Sequence, residues 1–189
     1  MIQSMKRLKT DAAEAIQSES DSSEFEALFL EHWARVYRLL CRLVGDPSEA
    51  EDLALETFLR LYRHHPQQED GFNLGGWLHR VATNLGLHSI RSWKRREHYE
   101  MTAGKYALNE DPPAEVLAQQ EEEHRLVRLA LAQMNERQSQ LLILRYSGLG
   151  YKEIARELNL APTSIGPLLV RAEREFEKQY RALAQEEER

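Results

Sequence analysis

Phe25, Leu28, Phe29, Val36, Leu39, Leu40 and Leu43 recur at the 3.6-residue spacing of an amphipathic helix. The same spacing returns along the rest of the chain, and no stretch alternates convincingly with period two. This points to an all-α fold. Helix breakers then divide it. Gly45 ends the first helix, and Asp46-Pro47-Ser48-Glu49 opens the next, with Asp46 as cap, Pro47 in the first position and Glu49 at N3. Pro112-Pro113 forbids a helix across the joint "NEDPPAE". From Tyr106 to His124 that joint carries acids and neither Lys nor Arg, as a solvated linker does. The expected architecture is therefore two small helical domains joined by a flexible acidic linker. A disordered N-terminal tail is expected over 1–22, a first domain over 23–98, the linker over 99–121, a second domain over 122–181 and a charged C-terminal tail over 182–189. Ser23 and Glu26 read as a capping box that opens the first domain.

Composition narrows the chemistry. A net charge of −6 argues against a uniformly basic coat, so charge has to be read segment by segment. The single cysteine, Cys41, permits no intrachain disulfide and no cysteine-based zinc motif, and is expected to be a small buried apolar residue. The seven histidines are scattered without an HExxH pattern, so no metal site and no cofactor are expected. No nucleophile–base pair or phosphate loop appears, so no catalytic residue is assigned and no enzyme is expected. No apolar run approaches the ~18 residues of a membrane span. Residues 1–23 lack an apolar signal core. A soluble, cytoplasmic protein without membrane insertion is expected.

The second helix has an unusually wide apolar arc. Ala50, Leu53, Ala54, Thr57 and Leu61 share one face, and Leu55, Phe58, Leu59 and Tyr62 cover the adjoining one, with Asp52 and Glu56 at its edge. Such an arc fits a helix packed between two neighbours, or one that docks a large partner.

The third helix is expected from Trp77, after the Gly-rich loop "EDGFNLGG". Leu78, Val81, Ala82 and Leu85 would face the core. Trp77, Arg80, Asn84, Leu87, Arg91 and Lys94 fall on the opposite face, and Arg95 and Arg96 follow. No acid interrupts Trp77 to Arg96, which makes a local positive field in an acidic chain. Arg and Lys neutralise phosphates, Asn bonds a base edge and Trp stacks on an unpaired base.

In the second block Leu126, Leu129, Ala130, Gln133 and Met134 form an amphipathic stretch, and Asn135 caps the helix that follows. The chain turns at Gly148 into "YKEIARELNLAPTSIGPLLVRAEREF", which fits a helix-turn-helix: Ala155 is small where two helices approach, Asn159-Leu160-Ala161 form the turn, and Ile154, Leu158, Leu160 and Ile165 supply the core. On the second helix of this unit Ile165, Leu168, Leu169, Ala172 and Phe176 face inward. Thr163, Pro167, Arg171, Arg174 and Lys178 face outward. Ser164 and Gly166 complete the candidate DNA-facing set. Pro167 has no N–H for Thr163, so the helix either starts late, near Ser164, or carries a distorted first turn.

Three stretches together resemble the sigma-70 family of RNA polymerase sigma factors, of the extracytoplasmic-function (ECF) type. "DPSEAEDLALETFLRLY" (Asp46 to Tyr62) is similar to region 2.2. "WLHRVATNLGLHSIRSWKRR" (Trp77 to Arg96) is similar to regions 2.3 and 2.4. "MNERQSQLLILRYSGLGYKEIAREL" with "RAEREF" is similar to region 4. The resemblance implies an initiation factor whose first domain binds the core polymerase clamp through Asp52, Leu53, Leu55, Glu56 and Leu59. Trp77, Arg80, Asn84, Arg91, Lys94, Arg95 and Arg96 would then open and hold the −10 element. The second domain would meet the polymerase flap and read the −35 element through Thr163, Ser164, Gly166, Pro167, Arg171, Arg174 and Lys178. Such factors bind promoter DNA and are usually held inactive by an anti-sigma factor. Leu55 stands where the family often has Gln, and Gly166-Pro167-Leu168 where many members place polar or basic residues. A −35 element read largely through groove shape is the corresponding expectation. The rival is a helix-turn-helix regulator with an N-terminal helical sensor or dimerisation domain. A second nucleic-acid surface on the third helix would be unnecessary there.

Overall fold

The computed structural model describes residues 2–64, 72–102 and 115–187, with side chains described at 23–63, 72–96 and 121–186. Among the described residues there are seven α-helices and no strand: α1 (Ile2–Val44), α2 (Pro47–His64), α3 (Leu74–Thr102), α4 (Glu115–Gln133), α5 (Glu136–Tyr146), α6 (Tyr151–Glu157) and α7 (Pro162–Glu187). Pro112-Pro113 lies outside the described residues.

Two boundaries differ from the sequence expectation. Helix α1 does not begin at a Ser23 cap; residues 2–22, expected as a disordered tail, are helical. No Gly or Pro occurs before Gly45, and the three Ala, two Glu, two Lys, two Gln, one Arg, one Leu and one Met of residues 2–22 favour helix. The expected C-terminal tail likewise continues α7 to Glu187.

The chain forms two compact units, Met1–Arg35 and Val36–Arg189. In the first, Phe25, Phe29 and Trp33 line one side of α1. The Phe25 and Phe29 rings lie 6.3 Å apart, and Phe29 stacks on Trp33 at 4.9 Å.

In the second unit Val36, Leu40 and Leu43 of α1 are buried. Gly45 ends α1 with φ +83°, a conformation that favours glycine. Asp46 then caps α2 as expected, accepting from the Glu49 amide at 2.7 Å. The Glu49 carboxylate leaves its own helix end and accepts from Ser89 Oγ on α3. Ala50, Ala54, Thr57 and Leu61 are buried, and the Thr57 hydroxyl donates to the Leu53 carbonyl at 2.8 Å. Cys41 is half-buried rather than buried. Its thiol beside Tyr37, together with partial burial, holds that phenol above its ordinary pKa.

Helix α3 starts three residues earlier than expected because Asn73 caps it, accepting from the Gly76 amide at 3.1 Å. Leu78, Val81 and Ala82 are buried as expected, and Leu85 is half-buried. The opposite face is not open. Leu87 and Ile90 are buried with Leu43 in one core that also holds Leu131, Leu141, Leu144, Ile154, Ile165 and Leu169. Helix α3 thus packs on α2 and also on α4, α5 and α6.

The second block turns twice by the same device. After α5, Gly148 adopts φ +98°, with Leu149 N–H donating to the Leu144 carbonyl at 3.2 Å and Gly148 N–H to Arg145 at 3.0 Å. After α6, Asn159 adopts φ +52°, with Leu160 N–H donating to Ala155 at 2.8 Å and Asn159 N–H to Arg156 at 3.2 Å. Both are Schellman closures, and Asn tolerates the left-handed position better than most residues.

Gly86 marks the closest approach in this unit. A β-carbon there would lie 2.4 Å from Leu43 Cδ2 and 3.1 Å from its Cγ. Alanine inside a helix ordinarily gains about 0.5–1 kcal/mol over glycine. Here overpacking reverses the sign: Gly86→Ala should destabilise the fold by about 1–3 kcal/mol in urea unfolding. A stabilised variant would contradict this packing.

Candidate nucleic-acid interface

The α2 arc is open where the sequence makes it widest. Phe58 turns inward and is buried, while Leu55, Leu59 and Tyr62 are 48%, 39% and 52% exposed. Asp52 is exposed beside them and Leu53 is half-buried. Glu56 accepts from Arg60 Nε at 2.9 Å, an i,i+4 pair at the surface. The arc therefore serves a core face and an exposed face together.

The α3 stripe is only partly available. Trp77 is half-buried, its ring 6.4 Å from that of Phe72. Arg80 donates from Nε to Glu157 Oε2 at 3.3 Å. Asn84 Oδ1 accepts from Gln140 Nε2 at 2.9 Å. Arg91 donates from Nη2 to the Met134 carbonyl at 3.4 Å, and its Nη1 lies 3.6 Å from the Glu136 carboxylate. Leu87 completes the same face and is buried. Lys94 is half-buried, and Arg95 and Arg96 are exposed. The sequence reading did not anticipate the partners on α5 and α6; only Leu87, an apolar residue in a polar stripe, hinted that this face meets protein. The Glu157 side chain is only 7% exposed. Burial raises its carboxyl above the usual glutamate range, although Arg80 pulls it down.

The helix-turn-helix forms as expected from α6 and α7, with Ala155, Ile154, Leu158 and Ile165 buried and Leu160 packed at the edge. Helix α7 starts at Pro162 rather than late, and Ser164 N–H donates to the Ala161 carbonyl at 2.9 Å. Pro167 lies within it, leaving the Thr163 carbonyl without the usual amide donor. Thr163, Pro167, Arg171, Arg174 and Lys178 are exposed, and Ser164 and Gly166 are half-buried. Lys178 lies 3.7 Å from Glu175. Beside this face sits an aromatic residue that sequence reasoning missed: Tyr151 is 46% exposed, with the Arg145 guanidinium 5.4 Å from its ring centroid.

A helical module with a cationic stripe, followed by a helix-turn-helix, defines a class of protein with two elements suited to nucleic acid. The profile described as Sigma-70 region 2 matches residues 28–97, and that described as Sigma-70, region 4 matches residues 124–176. The chain belongs to the sigma-70 family, within its ECF group. It is 30% identical over 148 residues to the ECF RNA polymerase sigma factor SigL of Mycobacterium tuberculosis, covering 77% of this chain and 82% of that protein. It is 38% identical over 94 residues to the ECF RNA polymerase sigma factor SigE of Mycolicibacterium smegmatis, covering 50% of this chain and 35% of that protein. The fold is shared with the sigma factor RpoE from Bartonella quintana, solved in complex with the anti-sigma factor NepR (TM-score 0.51, 20% identity, 84% of this chain and 97% of that one). It is also shared with CnrH, solved in complex with the cytosolic domain of CnrY (TM-score 0.55, 14% identity, 87% and 94%). Among the described residues no helix is long and apolar enough to cross a membrane.

Gly166 gives a prediction that complements Gly86. A β-carbon at 166 would meet only Tyr151 Cε2, at 3.7 Å, an ordinary contact. Gly166→Ala should therefore stabilise the isolated protein by about 0.5–1 kcal/mol, seen as a raised midpoint in thermal unfolding. A loss of stability would mean that the fold itself needs glycine there.

Proposed function

We propose that the chain is a sigma factor: it binds core RNA polymerase, directs it to promoters by recognising −10 and −35 elements, and performs no chemistry of its own. The α2 arc carries this reading. Three large apolar side chains exposed beside Asp52 and Glu56 form a surface suited to a large partner. That partner is the polymerase clamp, met by Asp52, Leu53, Leu55, Glu56 and Leu59. On α3, Trp77, Arg80, Asn84, Arg91, Lys94, Arg95 and Arg96 hold the opened −10 strand by phosphate neutralisation, amide contact and stacking. On α7, Thr163, Ser164, Gly166, Pro167, Arg171, Arg174 and Lys178 meet the −35 element, and the second block engages the polymerase flap. The factor acts in the cytoplasm under the control of an anti-sigma factor. Residues 23–98 and 122–181 are the two functional domains, and 99–121 is the linker between them.

Promoter-selective transcription with purified core polymerase tests the reading as a whole. Asp52→Lys with Glu56→Lys should lower affinity for core by at least ~10-fold through like-charge or lost pairing. Stability should change by less than ~0.5 kcal/mol beyond the surface pair with Arg60. Unchanged core affinity in a pull-down would remove the assigned role of α2.

The −35 reading makes a separate prediction. Gly166 admits close backbone approach, Pro167 offers only apolar contact, and Arg171 and Arg174 hold phosphates. Arg171→Ala should weaken binding to all −35 sequences by a similar factor and reduce the salt slope by about one. A change of preference at one base pair would instead show direct base reading by that side chain.

A further inference from the structure

The first compact unit, Met1–Arg35, carries an aromatic ladder with a charge of opposite sign at each end. Phe25, Phe29 and Trp33 recur every four residues along α1, with successive ring centroids 6.3 and 4.9 Å apart. All three are half-buried, and Leu30 at the edge of the ladder is 70% exposed. Glu24 and Arg35 are three helical turns apart, so both stand on the same flank of the ladder, one at each end. Both are exposed, and among the described residues neither is paired within the chain.

These positions are self-complementary. Let two copies of the helix run antiparallel and meet at Phe29. Phe29 then faces Phe29 of the second copy, and Phe25 faces Trp33 of the second copy. Like flanks meet in an antiparallel pair, so Glu24 faces Arg35 of the second copy. The two-fold axis repeats each of these unlike pairs. A parallel pair would instead set the Glu24 flank against the flank that carries Glu26, a like charge. Glu24 and Phe25 precede the stretch matched by the Sigma-70 region 2 profile, which begins at residue 28. The pattern is therefore a feature of this chain rather than of the matched domain.

We propose that Met1–Arg35 pairs with a second copy of itself as an antiparallel helix pair centred on Phe29, with Glu24–Arg35 ion pairs at both ends. The aromatic rings supply the apolar contact, and the flanking charges fix direction and register. One helix face is small beside the ~800 Å² per partner of a standard interface. The pair therefore forms and parts with protein concentration rather than holding permanently. It stands apart from the sigma-factor reading and does not need it.

Sedimentation velocity of the full-length chain over a wide range of concentrations tests this. Wild type should pass from monomer to dimer as concentration rises. Phe29→Ala removes the central contact from both copies at once and should weaken the dimer at least ~10-fold. Glu24→Arg and Arg35→Glu each turn two attractive pairs into two repulsive ones, and each should weaken the dimer at least ~10-fold. The double variant Glu24→Arg with Arg35→Glu should recover the wild-type dimer. A mixture of the two single-charge variants should form a heterodimer tighter than either homodimer, because every pair across it is then opposite in sign. Thermal unfolding checks each variant, and the exposed charge variants decide the matter if Phe29→Ala fails to fold. A wild type that stays monomeric throughout, single-charge variants that dimerise as wild type does, or a double variant or mixture that fails to recover would each overturn the proposal.

Discussion

The second unit is organised by a helix buried on two sides. Helix α3 is 29 residues long, about 43 Å at 1.5 Å per residue. It sets Gly86 against Leu43 and Leu40 of α1 and, one residue on, Leu87 into the core with α5 and α6. Neither contact is adjustable independently, because both are fixed by the phase of one rigid helix. The consequence is that residues 36–102 and 115–187 share apolar packing although proline-rich sequence separates them. Every functional surface on α3 has to be described relative to both neighbours.

Within that arrangement Glu157 is the least comfortable group. Its carboxyl is mostly withdrawn from water and its pKa is raised, so desolvation outweighs what Arg80 returns. For a group shifted in this direction, the stabilising contribution is fully present below the usual glutamate range and is lost as pH rises through the raised pKa. Near neutrality the desolvation of the Glu157 carboxylate therefore works against the contact that Arg80 supports. Apolar burial around Leu87, Leu141 and Ile154 has to hold that contact instead.

Most helices, their caps and the apolar faces were legible in the sequence because local chemistry decides them. Asp46, Asn135, Gly148 and Asn159 act through their own backbone neighbourhood, and the 3.6-residue period assigns Val36, Leu40, Ala54, Ile154 and Leu169 to the interior. The start of α1 was misjudged because polar, serine-containing sequence was read as tail, although nothing in it breaks a helix. The site was legible in parts. Periodicity correctly placed Leu55, Leu59 and Tyr62 on an open arc and Arg171 and Arg174 on the outer face of α7. It could not show that Glu136, Gln140 and Glu157 lie across from Arg91, Asn84 and Arg80, since those pairs are 45 to 77 residues apart and depend on tertiary packing.

The burial of Glu157 also sets how the molecule responds to its ionic surroundings. At physiological ionic strength mobile ions screen exposed charges over about 8 Å, while groups withdrawn from water are screened much less. Arg95, Arg96, Arg171 and Arg174 stand in solvent, so any anion they hold is loosened as salt rises. The Glu157 carboxylate and the apolar packing beside it are withdrawn from that atmosphere, whereas its partner Arg80 is partly open to it. A rise in ionic strength therefore acts unequally across the molecule: it weakens what the exposed arginines hold and leaves the apolar core in place.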